Sequence, residues 1–212
     1  MLAPRIPKPA LERLPVYLRV LRQSKAMGKQ YMSSSQLGKE SGVEEFQVRK
    51  DLSYVRAAGR PGRGYHIETL ISTLEGHLGV QDVRKAVVVG AGRLGQALSL
   101  YPGFRDYGFQ IVRLFDTQPT KIGQWVGGLQ IASVDHMVDW IWNNRIPMAI
   151  ITVPAEAAQP VADRLVRAGV RGMWNFAPVV LEVPDQVFVR NEDLAVGLAS
   201  LSHHVADRLS SS

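Results

Sequence analysis

Apolar residues change their spacing partway along the chain. In the first part they recur every three or four residues, as Leu14 and Leu18 do, which is the spacing of an amphipathic helix. Later, short continuous apolar runs alternate with helical stretches, which is typical of a parallel sheet covered on both faces. We therefore predict an α/β protein with three parts: a small helical domain in residues 1–80, a parallel-sheet domain in residues 81–192, and a C-terminal helix in residues 193–212.

The first helix of the N-terminal domain has a proline near its beginning. We expect residues 1–10 to be frayed and the helix to start near Leu14, because Pro15 then falls in the first turn, where proline is tolerated. Leucines at helical spacing over residues 70–78 predict a last helix that bridges to the sheet domain.

Between these helices the sequence predicts a winged helix-turn-helix. Ser33 and Gln36 have the spacing of a capping box, which opens a short helix that ends at Gly42. A third helix follows over residues 44–55, and two short helices joined by a glycine turn form a helix-turn-helix. The basic, glycine-rich stretch 57–65 cannot be helical and is expected to form a wing.

The sheet domain begins with an apolar run that leads directly into a glycine-rich loop. Strands are predicted over residues 86–89, 109–115, 129–132, 148–153, 172–175 and 187–190. Helices are predicted after the first strand, to about Leu100, and over residues 134–143, 155–168 and 194–209. The alternation predicts a parallel sheet with helices on both faces.

The glycine loop has the position and spacing of a dinucleotide-binding fingerprint, which indicates a Rossmann-like domain. It consists of Gly90, Ala91, Gly92, Arg93, Leu94 and Gly95. Asp116 follows at the end of the second strand, where a carboxylate can bind the ribose hydroxyls and repel a 2′-phosphate, so NAD(H) is favoured over NADP(H). The alternative is a glycine turn that binds nothing.

The third helix has one apolar side and one polar arc. Val48, Leu52 and Val55 share the side expected to face the core. The opposite arc holds Phe46, Gln47, Arg49, Lys50, Ser53 and Tyr54, to which the wing would add Arg60 and Arg63. Arginine can pair with guanine, glutamine with adenine, and lysine or tyrosine with phosphate, so we predict that this arc binds DNA. The alternative is a solvated helix face.

Charge separates the two domains and supports a polyanionic partner for the first one. The formal net charge is +6, but residues 1–64 alone hold thirteen basic and five acidic residues. The absence of cysteine excludes disulfides, a cysteine nucleophile and thiolate metal sites. No apolar run is long enough to span a membrane, and the N-terminus does not resemble a signal peptide, so we expect a cytoplasmic protein.

Candidate acid–base groups are sparse. The five histidines do not share metal-ligand spacing on one helix face, and we expect Asp135 to cap a helix rather than to act on a nicotinamide. These residues predict no proton-transfer machinery, no metal site and no catalytic residue.

Several motifs together resemble the Rex family of redox-sensing transcriptional repressors. They are the run 46–54, the glycine loop with Tyr101-Pro102-Gly103-Phe104, Thr152-Val153-Pro154, and the stretch 175–181. The resemblance extends from about Pro9 to Leu209. It implies a homodimer that binds an inverted-repeat DNA operator when NADH is low and is released from it when NADH binds. It also implies that NAD⁺ competes weakly with NADH and leaves DNA binding possible.

The resemblance also implies a set of cofactor-binding residues beyond the glycine loop and Asp116. These are Tyr101, Lys121, Thr152, Val153, Pro154, Asn175, Phe176, Ala177, Pro178 and Leu194. Leu194 stands where some relatives carry a phenylalanine that covers the nicotinamide; a leucine excludes water but offers no aromatic face.

Coupling between the two sites is implied through a C-terminal helix exchanged between subunits. In the family an arginine, an aspartate and a tyrosine link the first helix to the exchanged helix, and they match Arg19, Asp193 and Tyr101. Two other functions stay open at this point. One is an NAD-dependent oxidoreductase, or a CoA-ligase-like domain, with a nucleic-acid-binding appendage; the other is an adaptor with a vestigial fold.

Overall fold

The computed structural model describes residues 6–79, 83–196, 198–199 and 201–202. The chain divides into two compact units, Met1–Asp82 and Val83–Ser212. Each unit has its own core, and the two are described separately below. No helix within the described residues is both long enough and apolar enough to cross a membrane.

Over residues 6–79, the first unit is a bundle of four helices with a two-stranded ribbon. Its elements are α1 (Lys8–Ala26), β1 (Tyr31–Met32), α2 (Ser34–Ser41), α3 (Glu45–Tyr54), β2 (Tyr65–His66) and α4 (Ile67–Leu78). β1 and β2 pair antiparallel at the base of the wing, which contains one further bridge between Arg60 and Gly64. The core is formed by fully buried side chains such as Leu18, Leu52 and Leu74. This arrangement confirms the winged helix-turn-helix.

α1 starts earlier than the sequence analysis predicts. The helix begins at Lys8, and Pro15 lies inside it rather than in its first turn. Prolines favour its beginning as well, because Pro7 is the N-cap and Pro9 lies in the first turn. Pro15 removes one backbone hydrogen bond, but burial of Ala10 and Leu14 offsets that loss, so residues 8–10 are helical and not frayed.

The turn between α2 and α3 forms as predicted. Ser33 Oγ accepts a hydrogen bond from the Gln36 amide at 3.1 Å, and the Gln36 side chain accepts one from the Ser33 amide at 2.9 Å, which completes the capping box. Gly42 ends α2 with φ 72°, a left-handed conformation that glycine adopts without strain. α3 begins at Glu45, with three residues between it and the last residue of α2, which confirms the tight turn.

The second unit is a seven-stranded sheet with helices on both faces. Its strands are β3 (Arg84–Val89), β4 (Phe109–Asp116), β5 (Trp125–Val126), β6 (Leu129–Ser133), β7 (Met148–Ile151), β8 (Gly172–Asn175) and β9 (Phe188–Asn191). Its helices are α5 (Arg93–Leu100), α6 (Gly103–Asp106), α7 (Met137–Asn143) and α8 (Ala155–Arg167). The six strands other than β5 are parallel, in the order β6-β4-β3-β7-β8-β9, which is that of a Rossmann fold.

β3 is buried on both sides of the sheet. Val87 and Val89 pack with α7 and α8 on one face, whereas Ala86 and Val88 pack on the face that α5 and α6 cover. Burial on both faces explains why this strand appears in the sequence as a continuous apolar run rather than an alternating one.

Two details differ from the sequence analysis. The segment before α7 begins as a 3-10 turn, Val134–His136, and its cap is Ser133, whose Oγ accepts from the Asp135 amide at 3.1 Å. The expectation that Asp135 is the capping residue was therefore wrong. The described residues from Leu194 to Ser202 are helical; the rest of the predicted C-terminal helix, residues 203–209, lies outside the described part of the chain.

Candidate functional site

The sheet opens a crevice where its strand order reverses. From β3 the chain moves to β4 and β6 on one side, then crosses to β7 on the other side of β3. The carboxyl ends of β3 and β7 are therefore neighbours whose following loops diverge, which is where open α/β sheets bind ligands. Both predicted cofactor motifs, Gly90–Gly95 and Thr152–Pro154, begin at these two strand ends.

The glycines of the first loop allow a close approach between that loop, α5 and β7. Gly90 has φ 100°, and a Cβ there would lie 2.6 Å from the Thr152 carbonyl oxygen. A Cβ on Gly95 would lie 1.9 Å from the Gly90 carbonyl oxygen and 2.7 Å from Thr152 Oγ1. Thr152 Oγ1 in turn donates to the Gly90 carbonyl at 2.8 Å. The glycines thus allow the loop to come close to Thr152, and the Thr152 hydroxyl holds it there.

Gly92 faces open space, unlike Gly90 and Gly95 of the same loop. A Cβ on Gly92 would meet no atom within 4 Å. Gly92 is the N-cap of α5, and no side chain caps that helix, so its first amides and its positive dipole end face the same space. A cradle of amides without side chains suits a pyrophosphate, and the residues present therefore fit a dinucleotide.

Asp116 lies at the end of β4 and is nearly buried. Its carboxylate accepts hydrogen bonds from the Ala91 amide at 2.7 Å, the Gln118 amide at 2.9 Å and Lys121 Nζ at 3.2 Å. Burial would raise the pKa of Asp116, but these donors outweigh it and lower that pKa below the ordinary value. Asp116 therefore stays ionised and also holds the glycine loop, a role that the sequence analysis missed.

The loop after β8 is organised by an amide that is completely buried. Asn175 Nδ2 donates to the carbonyl oxygens of Ala177 and Val179, and its Oδ1 accepts from the Ala177 amide. The Asn175 side chain thus forms its hydrogen bonds within the protein. These bonds hold the loop that contains Phe176 and the exposed Pro178.

Aromatic rings connect this loop to the end of α5. Tyr101 lies edge-on to Phe104 with ring centroids 5.2 Å apart, and Phe104 lies edge-on to Trp174 at 6.1 Å. The rings of Trp174 and Phe176 are tilted by 51° with centroids 4.6 Å apart. Trp174 Nε1 donates to Glu192 Oε2 at 3.3 Å, just before the C-terminal helix. We call these four rings the aromatic row.

The start of the C-terminal helix is capped by Asp193. Its Oδ1 accepts from the Ala195 amide at 2.9 Å and the Val196 amide at 3.4 Å. Leu194 is 63% exposed in the single chain. Arg19, its predicted coupling partner in the first unit, is an exposed residue of α1. The link between Arg19, Tyr101 and Asp193 remains a prediction.

α3 presents most of its predicted arc to solvent. Phe46 is 71% exposed, Arg49, Lys50 and Ser53 are exposed, and Tyr54 is half-buried. Val48, Leu52 and Val55 are buried, which confirms the expected core side. Gln47 differs from the other arc residues, because it is half-buried and its amide is turned toward Asp51.

Asp51 is a fully buried residue that could not be singled out from the sequence. Its carboxylate is inaccessible to solvent and accepts four hydrogen bonds. Arg13 donates at 2.6 and 2.8 Å, Tyr17 Oη at 2.7 Å and Gln47 Nε2 at 2.7 Å. Burial would raise the pKa of Asp51, but the donors outweigh it and lower the pKa below the ordinary value. This network fixes α3 to α1.

The remaining arc residues are held more loosely. Arg49 pairs with Glu45 one turn earlier, and both side chains are about half exposed, so the pair can open at little cost. Ser53 Oγ donates to the Lys50 carbonyl at 2.6 Å. These contacts leave the Arg49 and Lys50 side chains able to reach a ligand.

The wing arginines share one support, Tyr31 of β1. Arg60 donates to Tyr31 Oη at 3.3 Å, and the Arg63 guanidinium lies 5.4 Å from the centre of the Tyr31 ring. Tyr31 could not be found from the sequence, because β1 is only two residues long and gives no pattern from which its pairing with β2 could be predicted. Within the described residues, no three His, Asp or Glu side chains group as metal ligands would.

Comparison with family models separates the two units in the same way. The model described as "Putative DNA-binding protein N-terminus" matches residues 5–53, and the model described as "CoA binding domain" matches residues 81–179.

Individual relatives match almost the whole chain. The redox-sensing transcriptional repressor Rex of Chloroflexus aurantiacus is 44% identical over 200 residues, which are 94% of each chain. The crystal structure of RSP with β-NAD⁺ and operator DNA is similar at TM-score 0.89 and 34% identity, covering 96% of this chain and 94% of that one. RSP with β-NADH matches at TM-score 0.86 and 33% identity, with 96% of both chains covered. The chain belongs to the Rex family of redox-sensing transcriptional repressors.

Proposed function

We propose that this chain represses transcription as a homodimer in the cytoplasm, bound to an inverted-repeat operator while NADH is low and released when NADH binds. One observation carries the proposal: a single chain combines a helix-turn-helix with a basic, exposed arc and a Rossmann crevice with an open amide cradle. RSP, which this chain matches over 94–96% of the RSP chain, has been crystallised with NAD⁺ and operator DNA and, separately, with NADH.

The DNA contacts are assigned to α3 and the wing. Arg49 would read a guanine edge, Phe46 would contact a thymine methyl group, and Lys50, Ser53 and Tyr54 would hold phosphates. Arg60 and Arg63 of the wing would add phosphate contacts. Two such units in a two-fold dimer would require half-sites about one helical turn apart, or a multiple of it.

The cofactor would be held mainly by backbone. The amides that follow Gly92 would bind the pyrophosphate. Asp116 Oδ1 accepts from the Gln118 amide and can accept one more hydrogen bond, so it would bind the adenosine ribose, with Lys121 next to the same carboxylate. Thr152–Pro154 and the stretch 175–178 would flank the nicotinamide, and Leu194 would exclude water from it. NADH supplies a neutral reduced ring where NAD⁺ carries a positive charge.

A change of partner at Asp193 would couple the two sites. A ligand shifts a conformational equilibrium only by its different affinity for the two states. In our proposal Asp193 pairs with Arg19 in one state and with Tyr101 in the other, and Leu194 packs near the nicotinamide only with NADH bound. Such couplings are typically about 1–3 kcal/mol, so one lost pair would remove most of the effect.

The test measures operator binding and its loss on addition of NADH. A mobility shift on promoter fragments should show specific complexes that NADH dissociates and that NAD⁺ at equal concentration does not. Arg19→Ala and Asp193→Ala should keep NADH affinity but blunt the release, measured as operator affinity at zero and saturating NADH. If NADH leaves wild-type operator affinity unchanged, the proposed function is wrong; if only the two variants behave like wild type, the coupling runs elsewhere.

We also propose that the chain is not an enzyme. Its relatives carry the name of a transcriptional repressor, and the crevice brings together backbone amides and a structurally engaged carboxylate rather than a free acid–base pair. NADH oxidation with a panel of small carbonyl compounds should show no turnover, and a measurable turnover number would favour an NAD-dependent oxidoreductase.

A further inference from the structure

Asp51 has its hydrogen-bonding capacity filled, and Gln47 supplies one of the four donors. Arg13 and Tyr17 donate to Oδ2, and Arg13 and Gln47 donate to Oδ1. A carboxylate accepts about four hydrogen bonds, two on each oxygen, so this set is complete.

The orientation of the Gln47 amide follows from this chemistry. An ionised carboxylate only accepts hydrogen bonds, so the Gln47 group that faces it at 2.7 Å must be the NH₂ end. The low pKa of Asp51 keeps the carboxylate ionised. If the amide turned over, Gln47 Oε1 would face Asp51 Oδ1, and two acceptors would meet in a buried place. The carbonyl oxygen of Gln47 is therefore directed away from Asp51.

Gln47 also lies where a recognition helix contacts bases. It is in the first turn of α3, and base contacts of helix-turn-helix proteins come from the N-terminal part of that helix. Arg49, by contrast, pairs with the half-exposed Glu45, and this pair can open at little cost. Gln47 is thus a prearranged reader beside an adaptable one.

We propose that Asp51, without touching DNA, determines which base Gln47 reads: it fixes the amide with Oε1 outward, so that Gln47 accepts from the amino group of an adenine in each half-site. This inference rests on the proposed function. Glutamine pairs with adenine by accepting from N6 and donating to N7, and the second hydrogen of Nε2 remains available for N7. Asp51 is a positioning residue, and its effect should appear in base preference rather than in affinity for DNA in general.

Replacing Asp51 with asparagine should turn the Gln47 amide over. Asparagine would keep its oxygen at the Oδ2 position, where Arg13 Nε and Tyr17 Oη donate, and would place its NH₂ at the Oδ1 position. There Arg13 Nη2 loses its acceptor, and Gln47 would turn over to accept with Oε1 and direct its own NH₂ outward. An outward NH₂ suits a base that offers acceptors, such as guanine with N7 and O6. Asp51→Asn should therefore shift the preference from adenine toward guanine at one position of each half-site.

The experiment uses the full-length protein, an operator selected from random DNA, and single-base-pair variants of that operator. Wild type should prefer adenine at one position by about tenfold or more, the range that a bidentate pair provides. Gln47→Ala should abolish that preference, and Asp51→Asn should abolish or invert it. Tyr17→Phe removes a different donor from the same carboxylate and should retain it. Preferences at other positions should stay the same in all variants. Affinity for non-specific DNA should stay the same in Gln47→Ala and Tyr17→Phe, which leave the net charge unchanged.

Asp51→Asn leaves Arg13 without a counter-charge, so the neutral pair Arg13→Gln/Asp51→Asn serves as a second variant with the same expected loss of preference. A retained adenine preference in a folded variant, or a Gln47→Ala variant that reads the operator like wild type, overturns the inference. In either case a wild-type operator complex that NADH dissociates would leave the proposed function intact. Absence of specific binding by wild type would defeat both.

Discussion

The cofactor crevice and the recognition helix are positioned by different parts of the chain. In the crevice, backbone carries the geometry: Gly95 brings α5 against Gly90, and Gly92 leaves the cradle open. In the first unit, side chains carry it: Asp51 holds Arg13 and Tyr17, which precede it by 38 and 34 residues. A site made of local backbone depends on a few consecutive residues, so it can be recognised as a motif. A side-chain network depends on residues from separate helices and gives no such motif.

The largest expected effect is the loss of the Asp51 carboxylate. Asp51→Ala leaves a half-buried arginine and a buried tyrosine hydroxyl without their acceptor, which should destabilise the first unit by about 3–5 kcal/mol. Denaturant unfolding of the full chain measures this loss, with Gln47→Ala, which removes one donor only, as the matched control. Equal stability of Asp51→Ala and wild type would mean that side-chain contacts do not fix α3.

The same carboxylate should make the first unit sensitive to acid. The folded-state pKa of Asp51 lies below its ordinary value, so its stabilisation is fully present above the unfolded pKa of about 3.9 and is lost as the pH falls toward the folded pKa. Wild-type stability should therefore decrease on acidification below about pH 5, and Asp51→Asn should show a flatter acid limb in the same titration.

Alanine at two glycines of one loop should affect different properties: stability at Gly95 and NADH affinity at Gly92. Gly95→Ala places a methyl group against backbone and should destabilise the second unit by about 3 kcal/mol. Gly92→Ala meets nothing in the free protein and should cost about 1 kcal/mol or less, while lowering NADH affinity about tenfold or more because the methyl group fills the cradle. Thermal unfolding and calorimetric NADH titration separate the two effects. Unchanged NADH affinity in Gly92→Ala would show that the cofactor does not use this loop.

Asp116 should matter to the choice of cofactor as well as to the glycine loop that it holds. Asp116→Asn removes the charge that repels a 2′-phosphate and weakens charged hydrogen bonds worth roughly 1.5–3 kcal/mol, so NADH should bind tenfold or more weakly and the discrimination against NADPH should narrow. Titration of both dinucleotides measures this. Lys121→Met, which spares the carboxylate, should change NADH affinity less; the reverse order would assign the site to Lys121.

The smallest expected effect is in the wing. Tyr31→Phe removes the hydrogen bond to Arg60 and keeps the ring under Arg63, whereas Tyr31→Leu removes both supports. A cation–π contact at an exposed site is worth about 0.5–1 kcal/mol, so operator affinity should fall about twofold to fivefold in Tyr31→Leu and less in Tyr31→Phe. Anisotropy titrations at two salt concentrations measure the difference. Identical binding by both variants and wild type would show that the wing arginines need no support.

The backbone site could be predicted from the sequence, whereas the side-chain network could not. The strand, glycine loop, helix and Asp116 could be found because a backbone site requires fixed residue types at fixed spacing. The helix-turn-helix could be found from one capping box and one glycine turn. The Asp51 network could not, because an acid within a charged helix looks like any solvated residue until α1 packs against it. Pro15 predicts too late a start for α1 for a related reason, since packing of Ala10 and Leu14 outweighs a local helix breaker.

The aromatic row has an optical consequence. Trp174 contacts Phe104 and Phe176 and donates to Glu192, so its indole joins the loop proposed to flank the nicotinamide to the residues that start the C-terminal helix. Indole emission responds to the hydrogen bond at its nitrogen and is quenched by transfer of excitation to a nearby reduced nicotinamide. With phenylalanine in place of the other three tryptophans, the fluorescence of Trp174 would show cofactor arrival and movement at Glu192 without any attached dye.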